Sequence, residues 1–198
     1  GFDLKALDVL PPDRFGPFIA SFAALYRRIF GGALPAVAAV GGHAVAGGAI
    51  LALACDRRFL ADGDGRFGLT EVDLALPLPA GVHHLLRAAA GDHRALEAGL
   101  FGRLYSPREA LTAGFADRLV PPDELLASAL GEARELAEKP RDALRAIRQA
   151  LRGPVCRALE EADDRVDEEF GRWWFSAEAK GRRAELLERL SARSGGEG

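Results

Sequence analysis

A chain of 198 residues, 48% hydrophobic and 28% charged, has the composition of a globular protein and the length for one domain, or one domain with a helical appendage. Its net charge of −3 leaves no electrostatic footprint for nucleic acid. The two cysteines, Cys55 and Cys156, fall in apolar or helical contexts, which predicts free thiols in a reducing, cytoplasmic setting rather than a disulfide framework.

The chain contains no Met and opens on Gly-Phe-Asp-Leu-Lys without a preceding strand. An N-terminal portion is therefore expected ahead of Gly1. No signal-peptide pattern is visible. From Asp13 to Phe30, apolar residues at Phe15, Phe18, Ile19, Phe22, Leu25, Tyr26 and Ile29 follow helical spacing, and Gly31-Gly32 ends the helix. The uncharged run Ala33 to Cys55 is long enough to cross a bilayer. Pro35, the glycine pairs Gly41-Gly42 and Gly47-Gly48, and His43 divide it. It reads instead as a buried strand, Ala36 to Val40, a glycine turn, and an all-apolar helix from Gly48 to Ala54.

Arg57 to Ala61 reads as a strand, Asp62-Gly63-Asp64-Gly65 as a turn, and Phe67 to Leu69 as a short extended piece before Glu71. Leu85 to Ala90 and His93 to Leu100 form a helix pair broken at Gly91. Ser106-Pro107-Arg108-Glu109 is a capping box whose helix ends at Gly114. Ala116 to Val120 is a strand closed by Pro121-Pro122. Beyond it come four helices, Asp123 to Glu138, Arg141 to Arg152, Val155 to Phe175 and Ala177 to Arg193, divided at Lys139-Pro140, Gly153-Pro154 and Ser176. This change of character predicts an α/β core over 1–122, a C-terminal helical layer over 123–193, and a disordered tail over 194–198. Arg141, Arg145, Arg148 and Arg152 recur at helical spacing among acids and read as a solvated face.

Ala38 to Glu71 carries the chemistry. Glycine lets backbone approach a ligand closely, N–H groups at a helix start can stabilise developing negative charge, and a carboxylate among apolar groups is a candidate base with a raised pKa. Glu71 has an alternative as a solvated helix-start acid, and Gly47-Gly48 has one as a tight turn needing positive φ. Asp73, two residues on, shares the face of Glu71 if the segment is a strand. His83-His84 reads as helix surface, since no further Cys/His cluster completes a metal site. Phe170, Trp173, Trp174 and Phe175 read as core or interface packing.

These residues resemble the crotonase superfamily, the enoyl-CoA hydratase/isomerase family. The opening Gly-Phe-Asp-Leu-Lys is similar to the end of its Ala-Gly-x-Asp-Leu-Lys loop. Pro35 to Asp56 resembles its second signature, and Phe67-Gly68-Leu69-Thr70-Glu71 resembles its Phe-Gly-x-x-Glu segment. Phe101 to Pro122 resembles the family's later motifs. The resemblance implies a spiral of ββα units with C-terminal helices, assembled as a homotrimer or dimer of trimers, acting on an acyl-CoA thioester with no separate cofactor and no metal.

It also implies site residues. Gly47 matches one oxyanion donor; the other is expected two positions before the glycine matching Gly1. Glu71 matches a catalytic glutamate. Gly1, Phe2, Asp3, Leu4, His43, Gly48, Ile50 and Leu78 are implied at the substrate, the region of Phe170, Trp173, Trp174 and Phe175 and the last helix can close over the acyl chain, and Lys180 lies where a basic residue could approach a phosphate. Family hydratases place a first glutamate where this chain has Ile50, which can neither hold nor deprotonate a water. They carry a Pro-Gly-Ala-Gly-Gly loop where this chain has Leu78-Pro79-Ala80-Gly81-Val82, and Pro79 has no N–H to offer. The resemblance is nearest to single-glutamate isomerases that move a 3-enoyl double bond to the 2 position in fatty-acid degradation. A hydratase, or a silent acyl-CoA-binding member, is the alternative.

Overall fold

The computed structural model describes residues 1–161 and 163–194, so the expected tail lies outside the described residues except for Ser194. Asp3 opens the structure as a cap. Its Oδ1 accepts from the Lys5 and Ala6 N–H groups at 3.0 and 3.1 Å and starts α1 (Leu4–Asp8), a helix that the sequence pattern does not predict. The long helix α2 (Pro12–Gly31) buries Phe15, Ile19, Phe22, Tyr26 and Phe30, much as its spacing predicts.

The middle of the chain winds as a spiral. Strand β1 (Val37–Val40) is followed by β2 (Ala44–Val45) and helix α3 (Gly47–Ala54). The next turn repeats the order with β3 (Arg57–Ala61), β4 (Phe67–Gly68), a 3-10 turn (Val72–Leu74) and α4 (Val82–Phe101), which kinks at Gly91. Then come α5 (Pro107–Ala113), carrying the predicted capping box, and β5 (Arg118–Val120). Each of these two turns gives one strand to each of two parallel sheets, β1-β3-β5 and β2-β4. Parallel strands need covered faces. Helix α3 is buried on nearly every side in the main core, while α6 (Leu125–Ala137) lies against β1 and β3 and buries Leu125 and Ala129 with Phe59, Ala61 and Val120.

Three helices complete the described chain: α7 (Arg141–Glu161), α8 (Asp163–Trp174) and α9 (Ala177–Ser194). The predicted break at Gly153-Pro154 does not occur, and α7 runs through it to Glu161. Both halves of α7 are anchored, which outweighs the hydrogen bond that Pro154 removes. Leu159 is buried on the far side against Gly81, and Arg148 and Arg152 hold the near side.

Those two arginines also overturn the expectation of a solvated face. Arg148 is buried, with Nε donating to Asp56 Oδ1 at 2.8 Å and the guanidinium donating to the carbonyls of Ile29, Phe30 and Gly32. Arg152 donates to the carbonyls of Phe30, Ala54 and Cys55 at 3.0–3.1 Å. The carbonyl ends of α2 and α3 are thus capped by cations, which the helix dipoles favour. Both cysteines are free, and among the described residues no helix is long and apolar enough to cross a membrane.

Replacing Arg148 by Met strips three carbonyls and Asp56 of a partner at a buried site. Urea unfolding is expected to show a loss of about 3 kcal/mol, while Arg145→Met at the exposed neighbour changes stability by less than about 0.5 kcal/mol.

Candidate active site

Strands β2 and β4 pair in parallel, Ala44 with Phe67 and Val45 with Gly68, so the chain leaves both at the same end. Ala46 follows β2, and its N–H donates to the Gly68 carbonyl at 2.9 Å while its own carbonyl accepts from Ile50 N–H at 3.0 Å. Held from both sides, Ala46 takes φ 50, ψ −117. A non-glycine residue in that region stores about 1–3 kcal/mol. The positive φ expected of Gly47-Gly48 falls on Ala46 instead. The two glycines serve close approach: a Cβ on Gly47 would sit 3.1 Å from the Phe2 ring, and one on Gly48 would sit 2.9 Å from Gly1 N. Gly47 is the first residue of α3, and its N–H has no acceptor among the described residues.

Glu71 leaves β4 three residues after Gly68 and caps the 3-10 turn. It is not the solvated helix-start acid of the alternative reading. Only 5% of it is exposed, and Oε2 has no hydrogen-bond partner among the described residues. Burial pushes its pKa up to about 7, against a smaller opposing pull from the backbone N–H groups of Thr70 and Glu71. Glu71, Gly47 and Ile50 line one small cavity of about 50 Å³, closed by apolar side chains from α1, α2 and α8. Among the described residues no other charged side chain lines it. A buried carboxylate in an apolar-walled cavity beside an unpaired helix-start N–H can take a proton from a carbon acid and stabilise the resulting oxyanion.

The other implied residues divide. Phe2 and Leu4 line the cavity, and Gly1 abuts Gly48 behind it. Asp3 is exposed and caps α1, so its visible work is structural. His43 is exposed ahead of β2 and is not part of the cavity wall. Leu78 lines a separate, larger groove of about 580 Å³ between the loop after the 3-10 turn and α4, where His83 also sits; Pro79 and Ala80 line the cavity instead. Asp73 is exposed, because its segment is a 3-10 turn rather than the strand that would align it with Glu71. Lys180 is exposed, with its ammonium 5.9 Å from the Phe175 ring. Sequence reasoning missed Ile19, Phe22 and Tyr26 on α2 as cavity walls. Phe170 and Trp174 on α8 also line it; the residues alone read as packing, and the resemblance implied that their region can close over the acyl chain.

The family model for enoyl-CoA hydratase/isomerase matches residues 1–191. The chain belongs to the enoyl-CoA hydratase/isomerase family. Among this family's members, a putative enoyl-CoA hydratase of Thermus thermophilus is 40% identical over 131 residues, 66% of this chain and 51% of that protein. Human mitochondrial enoyl-CoA delta isomerase 1 is 34% identical over 113 residues, 56% of this chain and 37% of that protein. The chain thus spans about half the length, or less, of these curated relatives. The solved human mitochondrial delta3-delta2-enoyl-CoA isomerase superposes with a TM-score of 0.90 at 27% identity, covering 98% of this chain and 75% of that one. The fold is therefore the crotonase spiral that the motifs implied.

The buried acid predicts a pH signature in this family member. Unfolded, Glu71 titrates near 4.5; folded, at about 7. Between those values the folded state holds the extra proton, so stability falls as pH rises, by about 3 kcal/mol in all. Glu71→Gln cannot ionise. Urea unfolding should find it more stable than the wild type at pH 8, by up to that amount, with the gap closing toward pH 4.5; a pH-independent gap would count against the buried acid.

Proposed function

We propose that the protein is a 3-enoyl-CoA to 2-enoyl-CoA isomerase of fatty-acid degradation, with Glu71 as the single proton shuttle. The observation that carries this reading is Ile50, fully buried, sharing the small cavity with Glu71. Where a hydratase needs a second carboxylate to hold and activate water, this cavity has a hydrocarbon wall.

The thioester carbonyl oxygen accepts from the Gly47 N–H. Glu71 Oε2 removes a proton from C2, and the electron pair moves into the carbonyl as a dienolate. As the carbonyl re-forms, the double bond settles between C2 and C3, and Glu71 returns the proton to C4. The Gly47 donor acts on charge that develops only along the reaction, and one such donor is worth about 3–4 kcal/mol. A pKa of about 7 suits a group that must both take and give a proton near neutral pH. The hydrocarbon wall also keeps out the water that would convert the product into a hydroxyacyl thioester.

The assembly we propose is a homotrimer. Exposed Val72, Leu96, Leu100 and Phe101 support a subunit interface, since such residues are otherwise unfavourable in water. The free thiols of Cys55 and Cys156 support a cytoplasmic location.

Hydration is the competing chemistry, favoured by the name of the Thermus relative. Ultraviolet absorbance of the conjugated thioester separates the two. A rise with a 3-enoyl-CoA and little loss with a 2-enoyl-CoA is expected; rapid loss with the 2-enoyl substrate would establish hydration. Glu71→Gln should lower isomerase turnover about 10³-fold while a saturated acyl-CoA still binds. The wild-type kcat/KM should rise with pH and level off above about 7, as Glu71 becomes the base. Binding without turnover on either substrate would mark a silent member of the family.

A further inference from the structure

The wall of the Glu71 cavity includes a second residue with an unpaired buried polar atom. Trp174 on α8 lines it, is 3% exposed, and its Nε1–H has no acceptor among the described residues. Buried indole N–H groups ordinarily find partners, and leaving one unmade is unfavourable. The indole is also held in place. Phe15 stacks on it with centroids 4.9 Å apart, and the buried Arg183 guanidinium lies 3.9 Å from its ring. Arg183 in turn donates to the Trp174 carbonyl at 2.7 Å and to Asp8 at 2.9 Å, which ties α8 and α9 to α1. With its rings stacked, the group Trp174 has left for the cavity is a donor with one lone acceptor to seek.

We propose that the Trp174 indole N–H selects substrate, and that the preferred acyl group carries an uncharged acceptor oxygen, ether or hydroxyl, on its tail beyond the reacting carbons. A plain hydrocarbon tail would bury the N–H unpaired. A carboxylate tail would share the cavity with Glu71, and among the described residues no cation lines it to compensate. The Tyr26 hydroxyl donates to the Ala80 carbonyl and so does not duplicate the role. The proposal rests on the acyl-CoA reading above.

The test uses 3-enoyl-CoA substrates in which an ether oxygen replaces a methylene at C5, C6 or C7, a swap that nearly conserves volume. The ratio of kcat/KM, ether over hydrocarbon, is compared between the wild type and Trp174→Phe. It is repeated with benzothienylalanine at position 174, where sulfur replaces the N–H and the ring system is kept. For at least one oxygen position the ratio should fall about fivefold in both variants. An unchanged ratio at all three positions overturns the proposal and leaves the N–H to a cavity water. Dissociation constants of saturated ether and hydrocarbon acyl-CoAs supply the same ratio without chemistry. Selectivity in binding with no turnover would sink the isomerase reading and retain the Trp174 assignment.

Discussion

Two parallel residue pairs, Ala44 with Phe67 and Val45 with Gly68, hold the site together. Because the strands run the same way, the segments after them emerge at one end, the usual place for ligands in parallel sheets. One exit becomes Ala46 and the start of α3; the other becomes Glu71. The hydrogen bond from Ala46 N–H to Gly68 ties the exits to each other. Register there matters more than anywhere else in the fold. Both groups in the cavity are held against a local preference: Ala46 for negative φ, and Glu71 for water. Together they cost several kcal/mol at neutral pH, a sizeable share of the roughly 5–15 kcal/mol that typical domains have in total. The surrounding apolar packing, with Phe67, Leu69 and Leu53 all nearly inaccessible, has to offset it.

The burial of Glu71 is a long-range property. The cavity wall includes Phe2 and Leu4 from the start of the chain and Phe170 and Trp174 from near its end. Phe15 joins these regions by stacking on both Phe170 and Trp174. Arg183 locks the arrangement from α9 through Asp8. Loosening α8 would admit water, weaken the desolvation that dominates the Glu71 pKa, and return the acid toward an ordinary carboxylate. The C-terminal helices therefore act on the chemistry through the dielectric around one oxygen.

Much of this was legible because it is local. The helical spacing of α2, the capping box of α5, the kink at Gly91 and strand β3 each depend on residues within a few positions, and each appears where the pattern predicts. Glu71 and Ile50 were legible as a pair through the ordered motifs, which stand in for three-dimensional proximity. Arg148 and Arg152 were misread because most of their acceptors are backbone carbonyls of distant helix ends, which leave no mark in the side-chain pattern, and their shared carboxylate, Asp56, is remote in sequence. Pro154 was misread because tertiary anchoring outweighed a local breaker. The strain at Ala46 left no mark in the sequence, because it comes from pairing with β4, while the neighbouring glycines drew attention for their freedom. Trp174 gave a site signal only through the resemblance, since an aromatic at helical spacing reads as core until its N–H is seen to lack a partner among the described residues.

Ile50 determines how Glu71 titrates as well as what it can do. Two carboxylates in so small a space would repel one another and lose protons in steps belonging to the pair. One of them would stay protonated near neutral pH, useful for holding a water but not for independent proton transfer. With isoleucine in that place, burial is the leading cause of the raised pKa of Glu71. The group is then close to half ionised near pH 7, and among the described residues no charged neighbour in the cavity ties its protonation state to a second site. In the isomerisation proposed above, a base that accepts a proton at one carbon and surrenders it at another needs nearly balanced affinities for its two states. Burial by α8 and the absence of a second acid at Ile50 both favour that balance.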